Sequence, residues 1–362
     1  MARRATRYES ANCIRRCVVM LSGLGDVVLG LPVVNALKRH DPYCRVTWVV
    51  EPMPSAILHH HPAVDDIVLY HKRPALHGAL ALWRDLRERR FEATLSFNIY
   101  LKGIPPTIFS RAPLRVGFAR PRSRDLAWLA VNRHVVPRRH QHLLDDFLQF
   151  LEPLDIPPPI APEWRICFTA AERAAQREFF ARLGGRPVAT IIPASGRPAK
   201  DWLAERWAEV AQRLDREHGF RVVLSGGPGA REGALARAIA GAVSPPPIVA
   251  LGDDVRRLAW ILDGSRLVLG PDTGPVHVAR ALDVPVIGLY GHTNPRHVGP
   301  YRAFEDLWVD AYTDPGAAPD PAAHAGTAGR MERISVDAVL ERVERALARY
   351  PRARGEARGG AA

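Results

Sequence analysis

The sequence predicts an α/β fold made of two Rossmann-like, doubly wound domains. Short apolar runs alternate with helical segments on both sides of a proline-rich stretch, and this alternation is typical of parallel sheets covered by helices. Several of the runs end in glycine turns, which is where sheets of this kind bind ligands. The length of 362 residues also favours two domains over one.

The first domain is expected over residues 1–160. Its predicted strands cover residues 17–21, 45–50, 67–70 and 93–97, and its predicted helices cover 27–39, 78–90 and 142–154. Residues 111–140 hold eight arginines against one acid, Asp125, and are interrupted by Pro113, Gly117 and Pro121. We predict a basic loop there, because proline and glycine break regular elements.

The second domain is expected over residues 161–330, after the run Pro157, Pro158 and Pro159, which is the best linker candidate. Its predicted strands cover 188–192, 221–224, 248–251, 267–269 and 284–290, with helices over 170–183, 204–218, 231–242, 255–263 and 276–282. A C-terminal helix is expected within 331–350, where apolar residues recur at helical spacing. Residues 351–362 are expected to form a disordered tail.

Composition favours a globular protein from a reducing compartment. No apolar run approaches the ~18 residues of a membrane span, and no signal peptide is expected, because Glu9 and Asn12 interrupt the N-terminal segment. The four cysteines include a single C-x3-C pair, Cys13 and Cys17, which does not suggest a zinc site. The net charge of +12 suits nucleic acid, an anionic membrane face or a phosphorylated substrate.

Residues 266–279 form a predicted strand, tight turn and helix. Asp272 or Thr273 can cap this helix, and Pro275 fits its first turn. A helix N-terminus at the end of a parallel strand can bind an anion, because free N–H groups and the positive end of the dipole point at the ligand. A capped helix without a ligand accounts for the same residues equally well, so this stretch alone leaves both interpretations open.

Neither a metal nor a cofactor is expected. The chain contains no Asp-x-Asp pair, which transferases that hold a diphosphate through a metal commonly need. His59, His60 and His61 are consecutive, so their side chains point in different directions. We expect these histidines to be exposed rather than to bind a metal.

Five short blocks carry the glycine turns and polar residues of the chain. They are SGLGDVV at 22–28 with Leu31-Pro32, SGRPAKDW at 195–202, GGP at 226–228, PDTGPVH at 271–277 and YGHTNP at 290–295. In this order they resemble glycosyltransferase family 9, the heptosyltransferases of lipopolysaccharide core synthesis. The resemblance extends from about residue 15 to about residue 345.

The resemblance implies a GT-B fold, in which two Rossmann-like domains face a central cleft. The first domain would hold the acceptor, and the second would hold the donor nucleotide. The implied reaction is an inverting transfer of heptose from ADP-heptose to the inner core of a lipopolysaccharide precursor of the Kdo–lipid A type. Such an enzyme would be cytoplasmic, peripheral at the inner membrane face, and would bind no nucleic acid.

Two residues match the family's catalytic positions. Asp26 matches the base, which takes a proton from the acceptor hydroxyl as that oxygen attacks, although an ordinary N-cap aspartate is the alternative. Lys200 matches a lysine that stabilises the charge on the departing diphosphate, with a solvated surface lysine as the alternative.

The same resemblance implies a donor site made of Ser195, Gly196, Lys200, Glu232, Asp272, Thr273, Gly274 and His277. Ser195 would offer a hydroxyl and Gly196 a backbone donor beside the diphosphate. Glu232 resembles the glutamate that binds the donor ribose, since one carboxylate can accept from two hydroxyls, but it could equally be a solvated helix acid. His277 is either a donor contact or a packed histidine.

Arg120, Arg122 and Arg124 are the expected acceptor-binding residues. The family's acceptor is an anionic glycolipid with phosphates and carboxylates, and arginine binds such groups through a planar fork of donors. Basic residues near an anionic leaflet also gain roughly 1 kcal/mol each, which suggests peripheral contact with the membrane. The alternative is a flexible basic loop without a ligand.

Three other functions remain open at this point. An NAD dehydrogenase is a weak competitor, because the G-x-G-x-x-G pattern begun by Gly23 and Gly25 is broken at Val28. A GT-B enzyme of other nucleotide-sugar specificity, such as a transferase for a different sugar or an epimerase, would share the fold. A non-catalytic nucleotide-sugar-binding protein would not need both Asp26 and Lys200.

Two departures from the family pattern leave the exact sugar and its position in the core open. The loop at 195–199 lacks the acidic residues expected of a first-heptose transferase. Pro275 and Val276 replace the usual leucine and serine.

Overall fold

The structure, a computed structural model, describes residues 13–71, 76–136, 138, 141–320, 323 and 325–351. Its internal contacts divide the chain into two units. Unit 1 comprises the residues up to Arg138 together with Leu144–Arg165, and unit 2 comprises Arg139–Leu143 together with the chain from Ile166 onward. The tail expected after Pro351 lies outside the described residues. Each unit contains one six-stranded sheet.

The sheet of unit 1 contains the strands β1 (Arg15–Met20), β2 (Arg45–Val50), β3 (Asp66–Leu69), β4 (Ala93–Ser96), β5 (Leu114–Phe118) and β6 (Arg133–Val135). It is parallel throughout, in the order β3-β2-β1-β4-β5-β6. The helices are α1 (Leu24–His40), α2 (Pro52–Ser55), α3 (Leu76–Glu88), α4 (Ile104–Phe109) and α5 (Leu143–Leu148). The four strands predicted from the sequence are confirmed, because their apolar runs are long enough to be seen locally.

The prediction of a loop over residues 111–140 was wrong, since this segment contributes β5 and β6 to the sheet. The sequence predicts Gly117 to be a breaker, but this residue lies inside β5, paired with β4. A Cβ at this position would lie 2.7 Å from Val131 Cγ1. The glycine therefore permits close packing within the sheet layer rather than ending the strand.

One face of the unit 1 sheet packs under α3. Cys17, Val19 and Val49 point to this face and are buried against Leu86 and Phe91. Alternate residues of a strand share a face, so Val18 and Trp48 are buried on the opposite side. Burial on both faces is typical of parallel sheets covered by helices.

The sheet of unit 2 contains the strands β7 (Val188–Ile191), β8 (Arg221–Gly226), β9 (Ile248–Leu251), β10 (Leu267–Pro271), β11 (Val286–Tyr290) and β12 (Val309–Asp310). It is also parallel, in the order β12-β11-β10-β7-β8-β9. Its helices are α6 (Ala170–Ala181), α7 (Ala204–Arg216), α8 (Ala230–Gly241), α9 (Val255–Gly264), α10 (Gly274–Ala281), α11 (Pro295–Val298) and α12 (Val336–Arg349). The strands and helices predicted for this part of the chain are confirmed, most of them to within a few residues.

The helix predicted over 142–154 is shorter than expected. It is α-helical only in α5 and continues as a 3-10 turn over Gln149–Leu154, which contains Pro153. Proline lacks the N–H that a continued α-helix requires, which accounts for the change.

The expectation that all three consecutive histidines are exposed was wrong for His61. Its ring is buried, and Nε2 lies 2.7 Å from the carbonyl oxygen of Trp164. Burial lowers the pKa of His61 to about 4, against the opposing effect of that hydrogen bond. His59 and His60 are exposed.

Of the helices in the described part of the chain, none combines the length and the apolar character that a membrane crossing requires.

Candidate active site

Asp26 lies in the first turn of α1, at the edge where the strands of unit 1 end. The N-cap of α1 is Gly23, and no side chain caps this helix, so Asp26 is not the N-cap residue. Its carboxylate is half-buried and close to the positive end of the helix dipole, which favours the ionised form.

Asn98, which follows β4, holds the chain that leads to Asp26. Its Oδ1 accepts from the backbone N–H of Leu21 at 3.0 Å, and its Nδ2 donates to the carbonyl of Val19 at 2.8 Å. Asn98 is buried, and a Cβ on Gly103 would overlap it. The sequence alone does not point to this residue, because a lone asparagine after a strand carries no local signal.

Arg122 is the innermost of the three arginines expected to bind the acceptor. Its guanidinium forms an ion pair with Asp146, a buried residue of α5, and lies 4.9 Å from the ring centroid of Phe118. Burial lowers the pKa of Arg122, while the carboxylates of Asp146 and Asp26 act in the opposite direction. Asp26 therefore lies within electrostatic reach of this guanidinium.

Arg120 and Arg124 differ from Arg122 because both side chains are exposed. The guanidinium of Arg120 lies 5.8 Å from the ring centroid of Trp128. Neither residue forms an ion pair with the described part of the chain, so both guanidinium groups remain available to an anion.

In unit 2, the residues expected to bind the donor follow neighbouring strands at the edge where those strands end. Ser195, Gly196 and Lys200 follow β7, Glu232 follows β8, and Asp272, Thr273, Gly274 and His277 follow β10. Because β10, β7 and β8 are adjacent in the sheet, their loops meet at one edge. This is the place where open parallel sheets bind ligands.

Asp272 is the centre of this group. Its Oδ2 accepts from Lys200 Nζ at 2.5 Å and from Thr293 Oγ1 at 2.9 Å, while its Oδ1 lies 3.7 Å from His277 Nε2. Burial alone would raise the pKa of Asp272, but His277 and Lys200 outweigh it and hold the pKa well below its usual range. The carboxylate is therefore ionised and fixes the Lys200 ammonium.

Two buried polar atoms next to Asp272 lack a hydrogen-bond partner among the described residues. They are Nδ1 of His277 and the hydroxyl of Tyr290. Burial, together with the Asp272 charge, raises the pKa of Tyr290 well above its ordinary value, so this hydroxyl is neutral. Buried polar groups are normally paired, and a water molecule or a ligand beside the His277 ring would supply the partner that its Nδ1 lacks.

Ser195 uses its polar groups inside its own loop. Its backbone N–H donates to Asp201 Oδ1 at 2.8 Å, and its hydroxyl donates to the carbonyl of Arg197 at 2.7 Å. Arg231, from the start of α8, pairs with Asp201 and donates to the Ser195 carbonyl. Gly196, by contrast, is exposed, and a Cβ there would meet no atom within 4 Å.

Glu232 folds back over the glycine turn that follows β8. A Cβ on Gly229 would overlap its Oε2, and a Cβ on Gly227 would lie 3.5 Å from Oε1. The carboxylate is therefore held at the mouth of this turn, in the first turn of α8, rather than extended into solvent away from the sheet.

Thr273 is the N-cap of α10, and Gly274 and Pro275 form its first turn. The Thr273 side chain makes no capping hydrogen bond. Pro275 has no N–H, and the Val276 N–H donates to the Thr273 carbonyl at 3.1 Å, so the Gly274 N–H is the first backbone donor of α10 that suits an anion such as a diphosphate.

His142, which precedes α5, lies with unit 2 beside this group. Its Nε2 lies 2.8 Å from the Gly299 carbonyl, and its ring packs edge-on against Tyr301 with centroids 5.0 Å apart. Burial lowers the pKa of His142 to about 3, and the nearby His277 acts in the same direction, whereas the hydrogen bond to Gly299 and the charge of Asp272 oppose it. The sequence placed this histidine in the first domain and did not associate it with the donor residues.

Comparisons with known proteins agree with the resemblance seen in the sequence. The model of glycosyltransferase family 9 (heptosyltransferase) matches residues 79–311. The lipopolysaccharide core heptosyltransferase OpsX of Haemophilus influenzae is 30% identical over 299 residues, which cover 82% of this chain and 84% of that protein. Lipopolysaccharide heptosyltransferase 1 of Pseudomonas aeruginosa is 29% identical over 314 residues, covering 80% and 81%.

Solved structures of the same family share the fold. A family 9 glycosyltransferase of Veillonella parvula superimposes with a TM-score of 0.75 at 23% identity, covering 92% of this chain and 97% of that one. The ADP-heptose heptosyltransferase II of Escherichia coli gives a TM-score of 0.74 at 18% identity, covering 92% and 99%. The fold is therefore GT-B, and the chain belongs to glycosyltransferase family 9, the heptosyltransferases.

Proposed function

We propose that this chain is an inverting heptosyltransferase that moves heptose from ADP-heptose to the inner core of a lipopolysaccharide precursor of the Kdo–lipid A type. The observation that carries this proposal is the cluster of Lys200, Asp272 and His277 at the start of α10 in a family 9 chain. The donor is inferred from E. coli heptosyltransferase WaaC, whose structure was solved with ADP-2-deoxy-2-fluoro heptose.

In the proposed reaction, Asp26 is the general base. Its carboxylate takes the proton from an acceptor hydroxyl as that oxygen attacks the anomeric carbon of the heptose. The bond from that carbon to the diphosphate breaks, and ADP leaves with the bonding electron pair. Attack on the side opposite the leaving group inverts the anomeric centre.

The departing diphosphate is stabilised by Lys200, by the Gly274 N–H at the start of α10 and by Gly196. Cations and backbone donors that are fixed before the reaction stabilise developing negative charge without reorganisation. Asp272 holds Lys200 in place, and Ser195 holds the shape of its loop. His277 Nδ1 forms a hydrogen bond with the nucleotide-sugar. Glu232 accepts hydrogen bonds from the hydroxyls of the ribose.

The acceptor is bound by Arg120 and Arg124, whose exposed guanidinium groups suit phosphates and sugar-acid carboxylates. Arg122 contributes through its ion pair with Asp146, which places a positive charge near the Asp26 base. The protein works in the cytoplasm, in peripheral contact with the inner membrane face, where its membrane-anchored acceptor is exposed. The net charge of +12 favours such a surface.

The function is tested by transfer assays with ADP-heptose and other nucleotide-sugars, on the wild type and on Asp26→Asn. Only ADP-heptose should support efficient transfer, the product linkage should be inverted, and activity should persist in EDTA. Asp26→Asn should keep its affinity for ADP but lose about 10²–10⁴-fold in kcat. A variant that retains most of its kcat would exclude Asp26 as the base.

The acceptor assignment is tested in the same assay. Arg120→Ala combined with Arg124→Ala should raise the acceptor KM and leave the donor KM within about twofold of the wild type, because these exposed side chains lie outside unit 2. An unchanged acceptor KM would show that these arginines do not bind the acceptor.

A further inference from the structure

Unit 1 contains a cavity of about 350 Å³ lined by arginines. Arg87, Arg90 and Arg111 surround it, and Phe91 and Ser110 are the other lining residues. Phe91 and Ser110 are buried, whereas the three arginines are exposed. The cavity thus has a buried floor and three cationic side chains at its mouth.

None of these three arginines forms an ion pair with a residue that the structure describes. Arg89, between them on the chain, pairs with Asp85 and Asp66, so acids are present nearby but are used elsewhere. Three like charges around one concavity repel each other, and an anion bound among them would remove this repulsion.

The cavity lies away from the proposed catalytic turn. Phe91 and Arg111 precede β4 and β5, so the cavity is at the edge where the parallel strands begin. Asp26 follows the end of β1, which has six residues and spans roughly 20 Å at ~3.3 Å per residue. An anion in this cavity therefore does not occupy the site at Asp26.

Exposed apolar side chains lie near the cavity on α3 and α4. Leu80 lies two turns before Arg87 on α3, and Ile108 lies one turn before Arg111 at the end of α4; they are 49% and 51% exposed. The Arg87 guanidinium lies 4.2 Å from the ring centroid of Trp83. Cationic groups mixed with exposed apolar and aromatic side chains suit the headgroup region of a bilayer, where both find partners.

We propose that this cavity binds the phosphate group of an anionic membrane lipid, so that the α3 and α4 layer of unit 1 rests on the bilayer. The inference rests on the proposed function, which requires the protein to reach a membrane-anchored acceptor. It adds a binding site for a bilayer lipid that is separate from the acceptor arginines, and it predicts which face of unit 1 meets the membrane.

The test compares the full chain with two double variants that lower its net charge equally. Arg87→Ser with Arg90→Ser removes two arginines of the cavity. Arg177→Ser with Arg237→Ser removes two exposed arginines of unit 2 that form no ion pair with the described residues. Binding is measured by co-sedimentation with vesicles of phosphatidylglycerol and phosphatidylcholine, and with vesicles of phosphatidylcholine alone.

The cavity variant should bind the anionic vesicles about 30-fold more weakly than the wild type, from roughly 1 kcal/mol for each arginine. The affinity of the unit 2 variant for the anionic vesicles should be within about threefold of the wild type. None of the three proteins should bind strongly to vesicles of phosphatidylcholine alone. Equal binding by the wild type and the cavity variant, or equal weakening in both variants, would overturn the proposal.

Two further measurements distinguish a lipid site from a free phosphate site and from a failure of the proposed function. Inorganic phosphate should stabilise the wild type against heat only weakly, because it lacks the apolar contacts of a lipid; stabilisation that the cavity variant loses while its vesicle binding is unchanged would show a free phosphate site instead. Transfer to a water-soluble acceptor without acyl chains should be the same in the wild type and the cavity variant. If neither transfers heptose, the proposed function fails, whereas the vesicle result still decides the lipid site.

Discussion

The Asp272 carboxylate is the point where three side chains of unit 2 meet. Lys200 and Thr293 donate to the same oxygen, and His277 lies near the other. A buried carboxylate without a cation would be costly, so Lys200 and Asp272 depend on each other. The arrangement keeps a cation at the proposed diphosphate site before any donor arrives.

We expect Lys200→Ala to weaken ADP binding about tenfold to a hundredfold, because a hydrogen bond to a charged group contributes roughly 1.5–3 kcal/mol. Thr293→Val is the matched control, since it removes a neutral donor from the same Asp272 oxygen but keeps the cation. The control should change the Kd for ADP less than about threefold. Titration calorimetry with ADP measures both, and wild-type affinity in Lys200→Ala would contradict the role given to Lys200.

The turn between β8 and α8 is held by glycines for a steric reason. Gly226 has φ of 156°, in the region that favours glycine. Gly229 has an ordinary φ of −62°, but its missing side chain leaves room for the Glu232 carboxylate. The glycines of this turn therefore determine the position of the Glu232 carboxylate, which is the proposed partner of the donor ribose.

This leads to a comparison of two alanine substitutions in one turn. Gly229→Ala should displace the Glu232 carboxylate and weaken ADP binding about tenfold, close to the effect of Glu232→Gln, since the hydrogen bonds to the ribose would be lost. Gly227→Ala places a Cβ at ordinary contact distance, 3.5 Å, from the same side chain and should leave the Kd nearly unchanged. If both alanine substitutions changed the Kd for ADP equally, displacement of Glu232 would not be the cause of the weaker binding.

At the scale of the whole molecule, each unit contains a buried histidine that is neutral in the folded state. The pKa is lowered to about 4 for His61 in unit 1 and to about 3 for His142 in unit 2. In the unfolded chain both would titrate near 6.5. Between these values the unfolded state binds more protons than the folded state, so stability falls as the pH falls.

We expect the free energy of unfolding of unit 1 to decrease by about 3 kcal/mol from this group as the pH drops from 6.5 to 4. His61→Gln, whose amide can still donate to the Trp164 carbonyl, should lose this part of the slope. His142→Gln should reduce the corresponding slope of unit 2 and leave that of unit 1 unchanged. Urea unfolding across this pH range measures the slopes, and parallel curves for the wild type and His61→Gln would refute the assignment.

The sequence by itself determined the alternation of strands and helices over most of the chain, the division into two domains and the family. These properties depend on local patterns: apolar runs such as that of β2, glycine turns such as that after β8, and motif blocks in a given order. The loop wrongly predicted over 111–140 shows the limit of such patterns. Gly117 has the same local signal whether it breaks a strand or makes room for Val131.

Only the tertiary structure decided which side chains meet. Arg122 pairs with Asp146, and Lys200 pairs with Asp272 across 72 residues. His142 belongs to unit 2, although the chain on either side of residues 139–143 belongs to unit 1. Such pairs depend on strand order and on burial, which no local window of sequence contains. The sequence shows which residues are charged, but the fold determines the partner of each charged residue and therefore its chemistry.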